Sequence, residues 1–310
     1  MSFLLKVKKY KPFSFLRTLC RNHILVYSLV QFSIIKKDRV GLELLRECTQ
    51  KRIYDRLRKK YKKILVNYKA DTKAQKAAER IIWVCWLQGF QRAPQLVQKC
   101  LASVKKFSSG YEVIEITREN FMNYVDIPSF IIEKWEKGII TNTHFSDILR
   151  IYLLSRNGGI WIDSTVLLTG EIPLDIKNAD FFVFQKLKPG RDGASLFVSS
   201  WFMSSCKSNP IIQLTKELLE TYWRKENSLC DYFLLHYFLC MACNELQTVY
   251  QDIPQYTNST PHILFFNLYK PFDLDIYNSI CSQTSIHKLS YKNIKSFEDV
   301  NTFYDFIIGD

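Results

Sequence analysis

The sequence predicts an α/β fold with a largely parallel sheet flanked by helices, preceded by a basic helical segment. Two observations lead to this prediction. From residue 80 onwards, short apolar runs of strand length alternate with stretches of helical periodicity, and the connections between them are short. Before residue 80, apolar residues recur at helical spacing among many lysines and arginines. We therefore divide the chain into an N-terminal segment, residues 1–79, and an α/β domain, residues 80–310.

The alternation of strands and helices is clearest between residues 81 and 185. Apolar runs predict strands at 81–87, 111–116, 160–163 and 181–185. Apolar residues at spacings of three and four predict helices at 93–107, 127–137 and 147–155. Gly158 and Gly159 end the third of these helices and lead the chain into the third strand. Strands that alternate with helices in this way form parallel sheets.

The positive charge of the chain is confined to its N-terminal part. The 310 residues carry a formal net charge of +13. Residues 1–80 hold 22 lysines and arginines against 6 acidic residues, which makes this part alone +16. The remaining residues hold 21 basic against 24 acidic side chains, a net charge of −3. The α/β domain is therefore not basic.

The N-terminal segment contains a short apolar run followed by a basic helix. The run at 24–35 has 12 residues, too few to cross a bilayer about 30 Å thick at about 1.5 Å per residue. Charged residues follow it where a signal peptide would have a cleavage site of small residues, so we expect the segment to be retained. Over 41–80, apolar residues at helical spacing lie among basic ones. These apolar positions are Ile53, Leu57, Tyr61, Ile64, Leu65 and Tyr68.

Two interpretations of this basic helix stay open. It suits an anionic membrane surface, where each lysine or arginine contributes about 1 kcal/mol. Alternatively, it packs on the α/β domain and leaves its basic face in solvent. Nucleic acid is a third possibility, but no aromatic-interleaved or groove-reading motif supports it, so no nucleic-acid partner is expected.

Cysteine usage indicates a reducing compartment. The chain has nine cysteines, and only Cys240 and Cys243 form a C-x-x-C pair, inside an apolar run. A zinc site would need a second pair of ligands, so we interpret these two as buried thiols on a helix. With no secretory signal, this cysteine usage predicts a cytoplasmic protein. The basic N-terminal segment then predicts a peripheral position on the inner face of the plasma membrane.

The segment that carries chemistry is 146–169, with the sequence SDILRIYLLSRNGGIWIDSTVLLT. Asp147 and Arg150 are three residues apart and share one face of a helix. Asp163 ends an apolar strand, and ligands of open α/β sheets bind beyond the carboxyl ends of the strands. A carboxylate at that position can hold a hard cation that bridges the phosphates of a nucleotide.

This segment resembles the sugar-binding region of the capsular polysaccharide synthesis protein family, which is similar to α-mannosyltransferase-like enzymes of GT-A fold. The stretches SDILR, GGIWID and TVLLT carry the resemblance. Further stretches match in order: IWVCWLQG at 82–89, GYEVIEI at 110–116, DYFLLHY at 231–237 and HKLSYK at 287–292. The resemblance covers roughly residues 80 to 293 and implies a Rossmann-like sheet of GT-A type.

The resemblance also implies roles for particular residues. The donor-binding residues would be Trp86, Asp147, Arg150, Gly159, Asp163 and Lys288. Asp163 and Asp231 would be the catalytic carboxylates, with Asp231 orienting the acceptor hydroxyl. A D-x-D motif in this family would hold Mn²⁺ or Mg²⁺, but here the motif is Asp163-Ser164-Thr165 and its third position is not acidic. The metal shell would then consist of Asp163 and His287.

The function implied by the resemblance is glycosyl transfer. A hexose would pass from a UDP- or GDP-sugar to a lipid-linked or oligosaccharide acceptor in bacterial capsule or surface-polysaccharide synthesis. The anomeric configuration would be retained, and the leaving phosphate would help to deprotonate the acceptor. Two alternatives stay open, a basic nucleic-acid-binding protein and an inert membrane-attached scaffold.

Overall fold

The computed structural model describes residues 19–36, 38–70, 80–187, 193–292 and 301–309. Its strands are β1 (Ile81–Cys85), β2 (Glu112–Ile116), β3 (Gly159–Asp163), β4 (Val166–Leu168), β5 (Phe181–Gln185), β6 (Val198–Ser205) and β7 (Ile286–Lys288). Five of them form a central sheet in the order β2-β1-β3-β6-β5, and β4 pairs with β7 in a second, two-stranded sheet. The pairs β1–β2 and β1–β3 are parallel. Because β6 is antiparallel to both β3 and β5, it alone runs against the other four strands of the central sheet.

Helices cover both faces of the central sheet. They are α1 (Leu25–Ile34), α2 (Arg39–Lys60), α3 (Lys62–Asn67), α4 (Gln95–Lys106), α5 (Ser129–Glu136), α6 (Asn142–Asn157), α7 (Leu174–Lys177), α8 (Pro210–Lys225), α9 (Leu234–Glu245), α10 (Gln247–Tyr250), α11 (Ile263–Asn267), α12 (Leu274–Gln283) and α13 (Phe303–Gly309). The predicted mixed α/β class, with strands alternating with helices, is thus confirmed.

Alternating side chains of the strands supply the two sides of the core. Trp83 and Trp161 point to one side, where they are buried with α6, α8 and α9. Val84 and Ile162 point to the other side, where they pack with residues of α4 and of the β4–β7 sheet. Strands β1, β3, β5 and β6 are buried on both faces, as expected for a sheet covered by helices, whereas the edge strand β2 is partly exposed.

The four strands predicted from the sequence are present, with ends shifted by at most two residues. Strands β4, β7 and β6 were not predicted, and of these only β6 belongs to the central sheet. Its sequence, VSSWFMSS, is buried at every position and carries serines on both faces. It therefore lacks both the alternating pattern of a half-exposed strand and the continuous apolar run of a buried one.

The N-terminal helices pack on the α/β domain. The predicted apolar face of α2 and α3 is buried in the same core as α9, and Tyr61 contacts the ring of Phe238 with centroids 5.2 Å apart. The hydroxyl of Tyr54 accepts a hydrogen bond from Asn244 at 2.7 Å. Basic residues such as Lys51 keep more than half of their side-chain surface exposed. Packing on the domain is therefore shown, and residues 71–79 lie outside the described residues.

The apolar run near the N-terminus forms α1, which has 10 residues. Among the described residues, no helix is both long and apolar enough to cross a membrane. The two cysteines of the C-x-x-C pair lie fully buried on α9, as predicted, and burial raises the pKa of the Cys240 thiol to about 11.

Gly159 is expected to be essential for the start of β3. Its φ of +94° is unfavourable for other residues, and a Cβ at this position would lie 2.6 Å from the carbonyl oxygen of Ile81. We expect Gly159→Ala to lower the free energy of unfolding by about 3 kcal/mol in urea denaturation. The control is Gly193→Ala, because a Cβ there meets nothing within 4 Å. Equal stability of the two variants would contradict this account.

Candidate active site

A cleft of about 470 Å³ opens where β1 and β3 end. The two strands are parallel and their last residues, Cys85 and Asp163, are paired in register. Residues that follow these strands line one side of the cleft, and the N-terminal half of α6 lines another. The cleft therefore lies beyond the carboxyl ends of the parallel strands, where α/β proteins bind their ligands.

Asp163 lies at the floor of the cleft with both carboxylate oxygens engaged. Its Oδ2 accepts a hydrogen bond from Lys288 Nζ at 2.9 Å. Its Oδ1 accepts one from the indole of Trp161 at 3.0 Å and lies 3.2 Å from Arg150 Nη2. Burial by itself raises the pKa of the Asp163 carboxyl, but Lys288 and Arg150, with the hydrogen bonds, hold the pKa below its usual value. Asp163 is therefore a carboxylate held between two cations.

Arg150 connects Asp163 to the helix behind it. Its Nη2 lies 3.0 Å from Asp147 Oδ1, so one nitrogen serves both carboxylates. Its Nη1 donates to the carbonyl oxygen and, at 3.1 Å, to the hydroxyl of Ser200 on β6. The guanidinium also lies 4.9 Å from the ring centre of Trp161. Because these contacts use both terminal nitrogens, Arg150 fixes the orientation of Asp163.

Two histidines support this cluster from the buried side. His144 Nε2 accepts from the indole of Trp223 at 3.0 Å, so the neutral ring carries its proton on Nδ1, which lies 3.4 Å from Asp147 Oδ2. His236 Nε2 lies 3.3 Å from the Ser200 hydroxyl, and burial lowers the pKa of His236 to about 4. His236 is therefore neutral at physiological pH and acts as a hydrogen-bonded support.

Lys288 reaches Asp163 from the second sheet. Its ammonium group bridges Asp163 Oδ2 at 2.9 Å and the hydroxyl of Thr165 at 2.7 Å. Antiparallel pairing places Lys288 opposite Val166, and the amide of Leu289 donates to the Thr165 carbonyl at 2.9 Å. The backbone of β7 therefore sets the position of the ammonium group.

The structure does not bring His287 to Asp163. Neighbouring residues of a strand point to opposite faces, so His287 faces away from Lys288. Its imidazole is fully buried, and Nε2 lies 3.0 Å from the Thr169 hydroxyl. Burial lowers the pKa of His287 to about 4. The expected metal shell of Asp163 and His287 is thus not assembled.

Two other predicted site residues also lie elsewhere. Gly159 begins β3, about 13 Å from the end that carries Asp163, and there it permits the turn after α6. Asp231 stands before α9, and its Oδ1 accepts from the amide of Phe233 at 2.8 Å. The next residue, Tyr232, lines the cleft instead. The resemblance placed both residues at the site because it matched their stretches of sequence, and only the backbone path shows where they lie.

Aromatic rings form part of the cleft wall. Trp86, which follows β1, and Tyr291, which follows β7, meet edge to face with centroids 5.4 Å apart. Trp86, for which the resemblance implied a donor contact, thus lies in the wall of the cleft. The sequence did not identify Tyr232, Tyr291 or Ser200 as site residues, and only the first two lie in stretches matched to the family.

The residues of the cleft do not form a set of ligands for a divalent metal. Among the described residues, no group of three histidine, cysteine or acidic side chains lies close enough to hold a metal ion. Asp163 is the one acidic residue in the described lining, and an ammonium group already contacts its Oδ2. The lining has three cationic side chains, Arg150, Lys288 and Lys292. Such an excess of positive charge suits an anionic ligand.

Among the comparisons with known proteins, the family match agrees with the motif at 146–169. The chain is similar to the solved structure of PaToxG glycosyltransferase, with 14% identity, a TM-score of 0.39, and coverage of 86% of this chain and 98% of that one. A likeness this distant carries no argument about function. No curated protein matches the chain. The family described as capsular polysaccharide synthesis protein matches residues 41–307, which is most of the sequence. The chain therefore belongs to the capsular polysaccharide synthesis protein family.

Proposed function

We propose that the protein is a glycosyltransferase that transfers a hexose from a UDP- or GDP-sugar to a lipid-linked or oligosaccharide acceptor in capsule synthesis. The observation that carries this proposal is the cationic cleft at the ends of β1 and β3 in a member of a polysaccharide-synthesis family. A nucleotide-sugar presents a diphosphate, two rings and a base. The cleft offers cations for the diphosphate and aromatic faces for the rings and the base.

Lys288 is the group best suited to contact the diphosphate. An ammonium group has three N–H donors, and Asp163 and Thr165 accept two of them. The third donor is free to meet a phosphate oxygen, and Lys292 adds a second cation on the same wall. As the bond between sugar and phosphate breaks, negative charge grows on the leaving diphosphate, and these cations stabilise it.

Trp86 and Tyr291 are suited to hold the base or a sugar ring. Both line the cleft, and their edge-to-face contact keeps the two rings in fixed orientations. Stacking of a base on an aromatic ring contributes about 1–3 kcal/mol and does not depend on which base is bound. We therefore assign these rings to the nucleotide side of the cleft and Tyr232, which is 62% exposed, to the acceptor side.

We further propose that the reaction retains the anomeric configuration. The acceptor hydroxyl oxygen attacks the anomeric carbon, the bond from that carbon to the phosphate oxygen breaks, and the electron pair stays on that oxygen. The same phosphate oxygen then takes the hydroxyl proton. This route needs no carboxylate base, which agrees with an Asp163 whose two oxygens are both engaged.

Asp163→Asn is expected to reduce donor hydrolysis about 100-fold. The amide cannot hold the ammonium group of Lys288 as a carboxylate does, so the cation is no longer aimed at the diphosphate. The measurement is release of UDP or GDP from a panel of UDP- and GDP-hexoses, with circular dichroism to verify folding. The matched control is Asp126→Asn, because the Asp126 side chain is 88% exposed. Equal hydrolysis by wild type and Asp163→Asn would contradict the proposal, and a folded wild type that hydrolyses no donor would favour the inert scaffold.

The product is expected to keep the anomeric configuration of the donor, which proton NMR of the glycoside determines. An inverted product would contradict the retaining route.

An inverted product would instead assign the role of base to His262, which lines the cleft. His262 Nδ1 lies 2.7 Å from the Asn258 carbonyl oxygen and donates to it, so Nε2 keeps its lone pair. Burial lowers the pKa of His262, so the ring is neutral at physiological pH.

We also propose that the N-terminal segment attaches the enzyme to an anionic lipid surface. One stripe of α1 is apolar and exposed. Its members are Val26, Leu29, Val30 and Ile34, which are 75%, 55%, 49% and 74% exposed. The residues before and after this helix are rich in lysine and arginine. An exposed apolar stripe flanked in sequence by positive charge is typical of helices that lie in a membrane interface. The burial of α2 in the core does not prevent membrane binding, because the exposed apolar stripe belongs to α1.

Replacing three of the four residues of the stripe is expected to weaken membrane binding at least tenfold. The variant is Val26→Ser, Val30→Ser and Ile34→Ser together, measured by co-sedimentation with vesicles of phosphatidylglycerol and phosphatidylcholine. Each side chain loses apolar area that would enter the interface. The control is Leu274→Ser with Ile276→Ser on α12, two residues that are 56% and 48% exposed. Unchanged binding of the triple variant, or equal binding to pure phosphatidylcholine vesicles, would contradict the proposal.

A further inference from the structure

The ammonium group of Lys288 lies between the first and third residues of the Asp163-Ser164-Thr165 motif. It contacts the Asp163 carboxylate at 2.9 Å and the Thr165 hydroxyl at 2.7 Å. In a D-x-D motif, these two positions would supply oxygen ligands to a divalent cation. Here the space between the two oxygens contains a cation that belongs to the chain itself.

The position of this ammonium group is set by the fold. Lys288 is paired across the two-stranded sheet with Val166, the residue that follows Thr165. The amide of Leu289 also donates to the Thr165 carbonyl at 2.9 Å. The Lys288 side chain is only 18% exposed, so it cannot swing freely into solvent. The strand that carries the cation and the segment that carries its oxygen partners are therefore held together by backbone hydrogen bonds.

The charges around Asp163 leave no carboxylate to neutralise a divalent cation. Arg150 Nη2 lies 3.2 Å from the other oxygen of Asp163, so this carboxylate already faces two positive groups. The nearby Asp147 is paired with the same guanidinium at 3.0 Å. A divalent cation added between Asp163 and Thr165 would displace Lys288 and meet repulsion from both cations.

We propose that Lys288 takes the place of the divalent cation, so that the protein binds the diphosphate of its donor without a metal. This proposal rests on the proposed function, since it concerns how the same cleft holds the donor. The ammonium group is anchored by Asp163 and Thr165 and donates its remaining N–H to a phosphate oxygen. The threonine at the third position of the motif fits this arrangement, because a neutral hydroxyl accepts a hydrogen bond from the ammonium group without adding a second negative charge.

The experiment is isothermal titration calorimetry of the full chain with UDP and with GDP, in EDTA and in MnCl₂. We expect the Kd of the better nucleotide to differ by less than threefold between the two buffers. Lys288→Met is expected to weaken binding at least tenfold in EDTA, and Lys288→Arg, which keeps the charge, to lose less. The matched control is Lys137→Met, because the Lys137 side chain is 68% exposed and lies outside the cleft lining. The melting temperature of each variant verifies folding.

A Kd that tightens tenfold or more in MnCl₂ would overturn the proposal and leave the proposed function standing. Electron paramagnetic resonance of the protein with MnCl₂ alone would also overturn the proposal if it detects bound Mn²⁺ and Asp163→Asn abolishes that binding. Binding that Lys288→Met leaves unchanged would likewise overturn it. A folded wild type that binds neither nucleotide in either buffer would overturn this proposal and the proposed function together. Donor hydrolysis distinguishes failure of this proposal from failure of both. Hydrolysis that persists in EDTA supports a metal-free cleft, whereas hydrolysis that occurs only with MnCl₂ overturns this proposal and leaves the proposed function standing.

Discussion

The arrangement on which the rest of the site depends is the carboxylate of Asp163 held between Arg150 and Lys288. The three residues come from β3, α6 and β7, and Lys288 is 125 positions along the chain from Asp163. Largely buried charges are tolerated only when they are paired and hydrogen-bonded. The cluster therefore requires all three elements to be in place, and it couples the position of the second sheet to the central one.

The surroundings of this cluster explain the packing of α6. That helix is buried along most of its length, although it carries His144, Asp147 and Arg150. Each of these side chains has a polar neighbour inside the protein: the indole of Trp223, the guanidinium, or Ser200 on β6. Strand β6 therefore supplies part of the support for the site, besides extending the sheet. A buried polar network of this kind holds its members in one geometry, which a binding site needs.

The sequence predicted those features of the fold that depend on residues close together along the chain. The parallel strands and their helices follow from apolar periodicity, and Asp147, Arg150 and Asp163 were found because they lie in one segment of 17 residues. Lys288 was identified only through resemblance, since no spacing connects it to the others. The assignment of His287 failed because its neighbour Lys288 is the residue that faces the cleft, and the direction of a strand residue follows from register. Gly159 was assigned through its matched stretch alone, although it begins β3 and ligands bind beyond the carboxyl ends of such strands. Asp231 resembles the case of His287, because its neighbour Tyr232 is the residue that lines the cleft.

The central claim is that Asp163 and Lys288 act as one unit on the donor. A double-mutant cycle on the kcat/KM of donor hydrolysis, with Asp163→Asn, Lys288→Met and the combined variant, tests it most directly. If the two residues form one unit, the combined variant is expected to be no more than about threefold worse than the worse single variant. If the effects of the two single variants multiply in the combined variant, the residues act independently, and this account of the site is contradicted.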